Sequence, residues 1–345
     1  MNAVDFFCGG GGMTKGLINA GINVILGLDS NPACQQTYEN NNNINYLNQN
    51  IIDVTAADLI DRYDLLIDND ELLMVGCAPC QPFSILRHGP ANEHISVNLL
   101  TEFGRLVEDI LPAHILVENV PGLSGKGEDV LNNFVTRINR LGYHYISGII
   151  NAKNYGVPQN RRRFILIASR FFEPIIPPPT HGDGLLPYET VYNAIHNYPH
   201  IEAGESDPNI FNHRAANIAP ITLRRLRATP HNGGGRLDWP EELTLECHKN
   251  GFIGHSDVYG RMSWDTVSPT LTARCYSISN GRFGHPEQDR AISLREAAAL
   301  QTFPDDYEFF GSMTEIGKQI GNAVPVLLAQ CIGEYILTQH NNLLH

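Results

Sequence analysis

Six short apolar runs, separated by segments long enough for a helix, set the strongest limit on how this chain folds. They fall at 4–7, 23–28, 72–75, 115–117, 145–150 and 164–168. They read as continuous runs rather than as alternating patterns, as strands buried on both faces do. Helix-like stretches such as 13–20 and 98–111 stand between them. This alternation predicts an α/β fold, a doubly wound and mostly parallel sheet.

From about residue 171 the texture changes. Pro174, Pro177, Pro178, Pro179, Pro187, Pro199, Pro208, Pro220 and Pro230 interrupt the chain, followed by Gly233-Gly234-Gly235. Periodicity stays weak to about residue 290, which predicts a smaller, loop-rich unit. Ser293 and Glu296 have the spacing of a capping box and predict a helix start. Ile316, Ile320, Val324, Leu327, Leu328, Cys331, Tyr335 and Ile336 share one stripe of a final helix that needs a partner surface. The expected organisation is a first domain at 1–172, a small domain at 173–312, and a C-terminal helix at 313–345 returning to the first.

Seven cysteines, at 8, 34, 77, 80, 247, 275 and 331, are odd in number and scattered, which argues against a disulfide framework. Cys77 and Cys80 form a C-x-x-C pair, but no second ligand pair for zinc follows, and nothing around them resembles a small thioredoxin domain. No metal is expected. The N-terminus lacks the basic segment of a signal peptide, and no run of eighteen apolar residues suggests a membrane span, so a cytoplasmic protein with no membrane partner is expected.

The net charge of −13 taken alone argues against a nucleic-acid partner, but its distribution does not. Residues 1–120 carry a net −11 and residues 121–345 only −2. Within 213–236, Arg214, Arg224, Arg225, Arg227 and Arg236 occur without a single acid. Local charge sets a DNA-binding face. A solvated arginine-rich loop is the plainer alternative.

Cys80 follows the apolar run 72–75 on the proline-stiffened turn Gly76-Cys77-Ala78-Pro79-Cys80-Gln81-Pro82. A thiol held just past a strand end suits a nucleophile better than a core residue. Phe7-Cys8-Gly9-Gly10-Gly11-Gly12 follows the first run and opens a helix. Its glycines permit close approach of a ligand, but the dinucleotide spacing fails, since Thr14 or Lys15 stands where the last glycine belongs. Asp29, at the end of the second run, can bind two ribose hydroxyls. The pair suits S-adenosylmethionine better than NAD; a tight packing turn remains the alternative. Glu118 ends the run 115–117, where burial raises a carboxyl pKa and lets it donate a proton at neutral pH; a salt-bridged glutamate is the alternative. Gln159-Asn160-Arg161-Arg162-Arg163 precedes the last run. In an extended segment Arg161 and Arg163 share one side, where two guanidiniums can hold a carbonyl and an anion.

With these motifs in order, the chain resembles the DNA (cytosine-5)-methyltransferases. The resemblance rests on Asp5 to Gly12, Pro79-Cys80-Gln81-Pro82-Phe83-Ser84, Glu118-Asn119-Val120, Gln159 to Arg163, Arg295 to Pro304, and Gly321-Asn322-Ala323-Val324-Pro325. It implies that Cys80 adds to carbon 6 of a flipped cytosine while Glu118 binds ring nitrogen 3 and the amino group. Arg163 would hold the base carbonyl, and Arg161 would position Cys80 and the base. It points the cofactor to Phe7, Gly9, Gly10, Gly11, Gly12, Asp29, Asn50, Ile51, Pro79, Asn322 and Ala323. Asn50-Ile51 stands where the family usually has Asp-Ile, and Gly76-Cys77-Ala78-Pro79 where Gly-Pro-Pro is commoner. Cys77 is expected to be a small packing residue.

The region between Arg163 and Arg295 resembles the family's variable target-recognition domain. Gln81 and Ser84 would lie near the flipped nucleotide's backbone. Arg214, Arg224, Arg225, Arg227, His231, Arg236, Arg274 and Arg282 are candidates for contacts to guanines or phosphates. Duplex DNA and, as a candidate, a cognate restriction endonuclease are the expected partners of a nucleoid-associated monomer. The rival readings are a tRNA cytosine methyltransferase on the same fold, a catalytically silent DNA-binding module, and a nicotinamide-linked oxidoreductase.

Overall fold

The computed structural model describes residues 1–63, 65–79, 99–249 and 257–343. The chain divides into two compact units. The first comprises Met1–Asn151, Arg162–Pro179 and Val324–His345, and the second Ala152–Arg161 and Thr180–Ala323.

The first unit is built on a seven-stranded sheet. Its strands are β1 (Asn2–Phe6), β2 (Asn23–Asp29), β3 (Tyr46–Asn48), β4 (Leu72–Gly76), β5 (His114–Asn119), β6 (His144–Asn151) and β7 (Arg162–Ser169), in the order β3-β2-β1-β4-β5-β7-β6. β1 pairs in parallel with β2 and β4, β2 with β3, and β4 with β5. The predicted strands are all present, and β4 and β5 are buried at every residue. β3 carries no apolar run; three residues at an edge needed none. β7 is antiparallel to both neighbours. Only ten residues separate it from β6, too few for the crossover that a parallel pair requires.

Helices α1 (Gly12–Asn19), α2 (Gln35–Asn42), α3 (Ala56–Tyr63), α4 (Leu99–Ile110) and α5 (Glu128–Arg140) belong to this unit. α4 buries Leu100, Phe103, Leu106, Val107 and Ile110, the spacing of one helical face. Phe103 stacks edge-on against Phe6 (centroids 5.4 Å) and parallel to Phe134 (6.0 Å). Fully burying such a ring stabilises the fold by about 1.5–3 kcal/mol.

The stripe expected of one final helix is carried by two. α9 (Met313–Asn322) belongs to the second unit and α10 (Val326–Leu343) to the first, with Pro325 between them. A proline cannot continue the helix before it. α10 packs on α1, where Gly16 is obligatory: a Cβ there would lie 2.4 Å from the Ala329 Cβ. By length and composition Met313–Leu343 could cross a membrane, but 56% of its most apolar window is buried inside the protein.

The second unit is loop-rich, with α6 (Val191–Ile195), α7 (Pro220–Arg227), α8 (Leu294–Leu300) and α9 as its helices. Loops leave carbonyls without ladder partners, and buried arginines collect them. Arg261 donates to the carbonyls of Thr229, Leu226, His285 and Gln288, and Arg295 to those of Pro304, Asp305 and Tyr307. The capping box forms as expected: the Ser293 hydroxyl accepts from Glu296 N, and Glu296 accepts from Ser293 N. Glu296 also takes a bidentate pair from Arg290, 2.7 Å at each oxygen. Burial pushes its carboxyl up, but Arg290 outweighs burial and holds it down to about 2.

Candidate functional site

β1, β2, β4 and β5 run in parallel, so their carboxyl ends share one edge of the sheet. Strand order reverses between β1 and β4, the place where open α/β sheets bind ligands. The loop after β1 carries the glycines, and the segment after β4 leads to Cys80. Cys80, Gln81 and Ser84 lie outside the described residues.

The glycine loop is shaped by left-handed backbone at Phe7 (φ 64°), Gly9 (φ 50°) and Gly11 (φ 86°). Phe7 pays strain there that glycine does not; its N–H donates to Leu28 O at 2.7 Å. Asp29, half-buried at the end of β2, accepts from Gly9 N at Oδ2 (3.0 Å) and from Asn31 N at Oδ1 (2.9 Å). Burial pushes its carboxyl up from the usual value, and these backbone donors oppose the shift. Gly9 to Gly12 and Asp29 thus stand together. Asn50 caps the short turn Ile51–Asp53, its Oδ1 accepting from Ile52 N at 3.2 Å. Ile51 opens that turn, its side chain 2% exposed and packed in the hydrophobic core. Pro79 is exposed.

Beneath the loop lies a buried chain that the sequence did not reveal. Thr14 donates to Asp5 Oδ2 (2.7 Å), and Tyr38 Oη is 2.9 Å from the same Thr14 hydroxyl. Asp5 is fully buried, and burial lifts its carboxyl to about 7. An acidic residue inside an apolar run was the available signal.

Glu118 and Arg163 meet because β5 and β7 are antiparallel. Glu118 pairs with Ile165, and Arg163, two residues away, shares that face. Arg163 Nε donates to Glu118 Oε1 at 2.9 Å, with the side chains 12% and 10% exposed. Arg163 Nη1 donates to Arg162 O (2.7 Å), and its Nη2 has no hydrogen bond among the described residues. Burial pulls the guanidinium below its ordinary value and Glu118 opposes this. The counter-charge is what a buried carboxylate needs.

Asn119 is the residue that the motif reading left without a role. Its Nδ2 donates to Ala78 O (2.9 Å) and its Oδ1 accepts from Val120 N (2.8 Å), at 3% exposure. It therefore ties the end of β5 to the carbonyl two residues before Cys80. The Cys77 thiol is pushed well up by burial, then by Glu118 and Asp5. That keeps it protonated and inert as a nucleophile.

Arg161 lies in the second unit. Its Nη1 donates to Leu271 O (2.9 Å), and its Nη2 to Gly321 O (3.0 Å) and Ala323 O (2.9 Å). The expectation that Arg161 and Arg163 present two guanidiniums to a ligand is corrected, because protein carbonyls hold the terminal nitrogens of Arg161. Asn322 ends α9 and is exposed, with no hydrogen bond to its side chain among the described residues; Ala323 accepts from Arg161 and from Gln301 Nε2 (3.3 Å).

The basic candidates separate in the same unit. Arg214, Arg224 and Arg274 are exposed and make no side-chain bond among the described residues. Arg225 donates to Leu243 O (2.9 Å) and lies over Trp239; Arg227 pairs with Asp289; Arg236 is buried. Arg282 Nη1 donates to the carbonyls of Gly233, Gly234 and Arg261 at 2.8, 3.0 and 3.2 Å. A direct DNA role for Arg236 and Arg282 is corrected on this geometry. His231 is exposed. Among the described residues no group of three or more His, Cys, Asp or Glu could hold a metal.

A family model described as C-5 cytosine-specific DNA methylase matches residues 1–338. The Type II methylase M.HgiDII of Herpetosiphon aurantiacus is 42% identical over 340 residues, covering 96% of this chain and 94% of that protein. The Type II methyltransferase M1.HphI of Haemophilus parahaemolyticus is 33% identical over 352 residues, covering 98% and 87%. Among solved structures, an Escherichia coli prophage protein described as a DNA modification methyltransferase shares the fold. Its TM-score is 0.76 at 20% identity, with 99% of each chain covered.

Proposed function

The chain belongs to the C-5 cytosine-specific DNA methylase family, and we propose that it methylates a cytosine within a specific duplex sequence through covalent addition of Cys80. Carbon 5 of cytosine is a poor nucleophile until a soft nucleophile saturates carbon 6, and a thiolate leaves afterwards as readily as it adds. The target base is buried in the duplex, so it must flip out.

The observation that carries this reading is the end of β5. Glu118 is fixed there by Arg163 at 2.9 Å, and Asn119 holds Ala78 O, two residues before Cys80. One strand end thus sets both the base-binding carboxylate and the entry to the nucleophile's turn. Glu118 binds ring nitrogen 3 and the 4-amino group and stabilises the adduct. Arg163 holds the base carbonyl through Nη2. Loss of the carbon 5 proton and departure of Cys80 restore the ring. Arg161 is a positioning residue, acting through the Leu271, Gly321 and Ala323 carbonyls.

The residues after β1 and β2 fit S-adenosylmethionine. A half-buried carboxylate, one backbone N–H on each oxygen, retains lone pairs for a ribose diol. The glycine loop lets backbone approach the ligand. Phe7, Gly9, Gly10, Gly11, Gly12 and Asp29 would hold it, with Asn50, the Ile51 backbone, Pro79, Asn322 and Ala323 as further contacts. When bound, it supplies an electrophilic methyl group.

Exposed Arg224 and Arg274, with Arg214, are the phosphate and base contacts we propose, joined by Arg225 and Arg227 and by Gln81 and Ser84 near the flipped nucleotide. A cognate endonuclease and a cytoplasmic location complete the reading. Methyl transfer from labelled cofactor to duplex DNA and to tRNA, with bisulfite mapping of the DNA product, tests it. Label in one DNA sequence context supports the reading, and label in tRNA alone defeats it.

A further inference from the structure

The chemistry above gives Asp5 no part, yet a buried carboxylate without a counter-charge is costly to keep. Asp5 lies in β1, wholly buried, opposite Gly27 of β2 and Val75 of β4. Gly27 makes room for Tyr38: a Cβ there would lie 2.3 Å from the phenol oxygen. Tyr38 Oη thereby comes within 2.9 Å of the Thr14 hydroxyl, which donates to Asp5 Oδ2 at 2.7 Å. Asp5 Oδ1 has no hydrogen-bond partner among the described residues, and no cation among them pairs with the carboxylate.

The charged and titratable groups on the elements around Asp5 are Asp29 at the end of β2, Cys8 in the glycine loop, Cys77 after β4, Tyr38 in α2, and Lys15, next to Thr14 in α1. Asp29 pushes the Asp5 carboxyl up, and Asp5 in turn pushes up the thiols of Cys8 and Cys77. The field of Asp5 thus reaches the glycine loop and the turn after β4, two segments that carry proposed cofactor contacts. S-adenosylmethionine brings a sulfonium cation to such a site. Its product, S-adenosylhomocysteine, has a neutral thioether at the same atom. A buried anion beneath the loop strengthens binding of the first more than of the second.

We propose that ionised Asp5, acting through space, makes the site favour the cationic cofactor over its thioether product, and that Thr14 supports the ionised form. The proposal rests on the reading of this site as one for S-adenosylmethionine. Burial lifts the Asp5 carboxyl to about 7, so its charge comes and goes around neutrality. By reciprocity, a cation held more tightly by ionised Asp5 must strengthen Asp5 as an acid by the same factor. The preference is therefore fullest above neutral pH and fades as acidification returns the proton to Asp5.

Calorimetric Kd values of the full chain for S-adenosylmethionine and S-adenosylhomocysteine test this. If the sulfonium strengthens Asp5 as an acid tenfold, the ratio of product Kd to cofactor Kd rises about fourfold from about pH 6 to about pH 7.5. Groups that meet the shared adenosine, Asp29 among them, cancel in the ratio. Repeating the titrations near neutral pH in buffers of different ionisation enthalpy should show more proton release with the cofactor than with the product. Asp5→Asn keeps an oxygen for the Thr14 hydroxyl and should leave the ratio flat with pH. Thr14→Val removes the donor that favours the ionised form and should move the rise to higher pH. A flat ratio in the unmodified protein overturns the proposal whatever the variants do to folding, and so does an equal rise in Asp5→Asn. If neither ligand binds the unmodified protein, the cofactor reading itself falls and the proposal with it, a distinct result.

Discussion

Replacing Asn119 by Asp removes one hydrogen-bond donor from the site and leaves almost everything else. The Asp carboxylate can still accept from Val120 N, as Asn119 Oδ1 does at 2.8 Å. It cannot donate to Ala78 O, which now receives Nδ2 at 2.9 Å. Asn119 is 3% exposed and Ala78 4%, so water cannot readily take over. Leaving a buried acceptor unpaired costs about 1–3 kcal/mol, and a carboxylate facing it costs more. If that falls on the placement of Cys80 in the transition state, kcat drops roughly 5- to 150-fold or further. Single-turnover methyl transfer to duplex DNA reads this directly, with cofactor binding measured alongside. Cofactor affinity should stay within about threefold, because the glycine loop and Asp29 are untouched. A kcat within twofold of the unmodified protein would refute the tether.

Glu118→Gln should lower kcat by about 10²- to 10⁴-fold with cofactor binding retained, as expected of a group acting on the base; near-normal turnover would remove Glu118 from the chemistry. Asp29→Ala should weaken cofactor binding at least about tenfold by calorimetry, and unchanged affinity would move the ribose elsewhere. Stability should fall as pH drops from 6 to 5. Burial lowers His114 and His285 to about 3, so there the unfolded chain binds two protons that the fold refuses. Burial raises Asp5 to about 7, so the fold binds one that the unfolded chain does not. His340, lowered, and Asp29, raised, act in opposite senses. The net is one proton, or about 1.4 kcal/mol lost per pH unit. Urea unfolding at the two pH values checks the sign, which a gain in stability on acidification would contradict.

The sheet was readable in the sequence because strands buried on both faces are apolar throughout and cannot be mistaken for surface. β3 was not, since three edge residues need no such run, and the antiparallel β7 follows from a short connection rather than from composition. Glu118 was legible by its place at a strand end and Arg161 and Arg163 by the arginine run before β7, but the run did not show that protein carbonyls take the terminal nitrogens of Arg161. Those carbonyls, of Leu271, Gly321 and Ala323, come from parts of the chain far from Arg161 in sequence, which local alternation does not register. Ile51 shows a different limit: a motif names a residue without saying whether its side chain or its backbone meets the ligand. Arg282 looked like a DNA contact because the carbonyls that take its nitrogens lie more than twenty residues away. Pro325 did announce the break between α9 and α10, and the hydrophobic stripe obscured it.

The central claim is that Cys80 attacks the cytosine. Cys80→Ser, with labelled S-adenosylmethionine and duplex DNA carrying the mapped site, tests it most directly. The account predicts loss of methyl transfer with cofactor affinity preserved. Full turnover by the serine variant would contradict it.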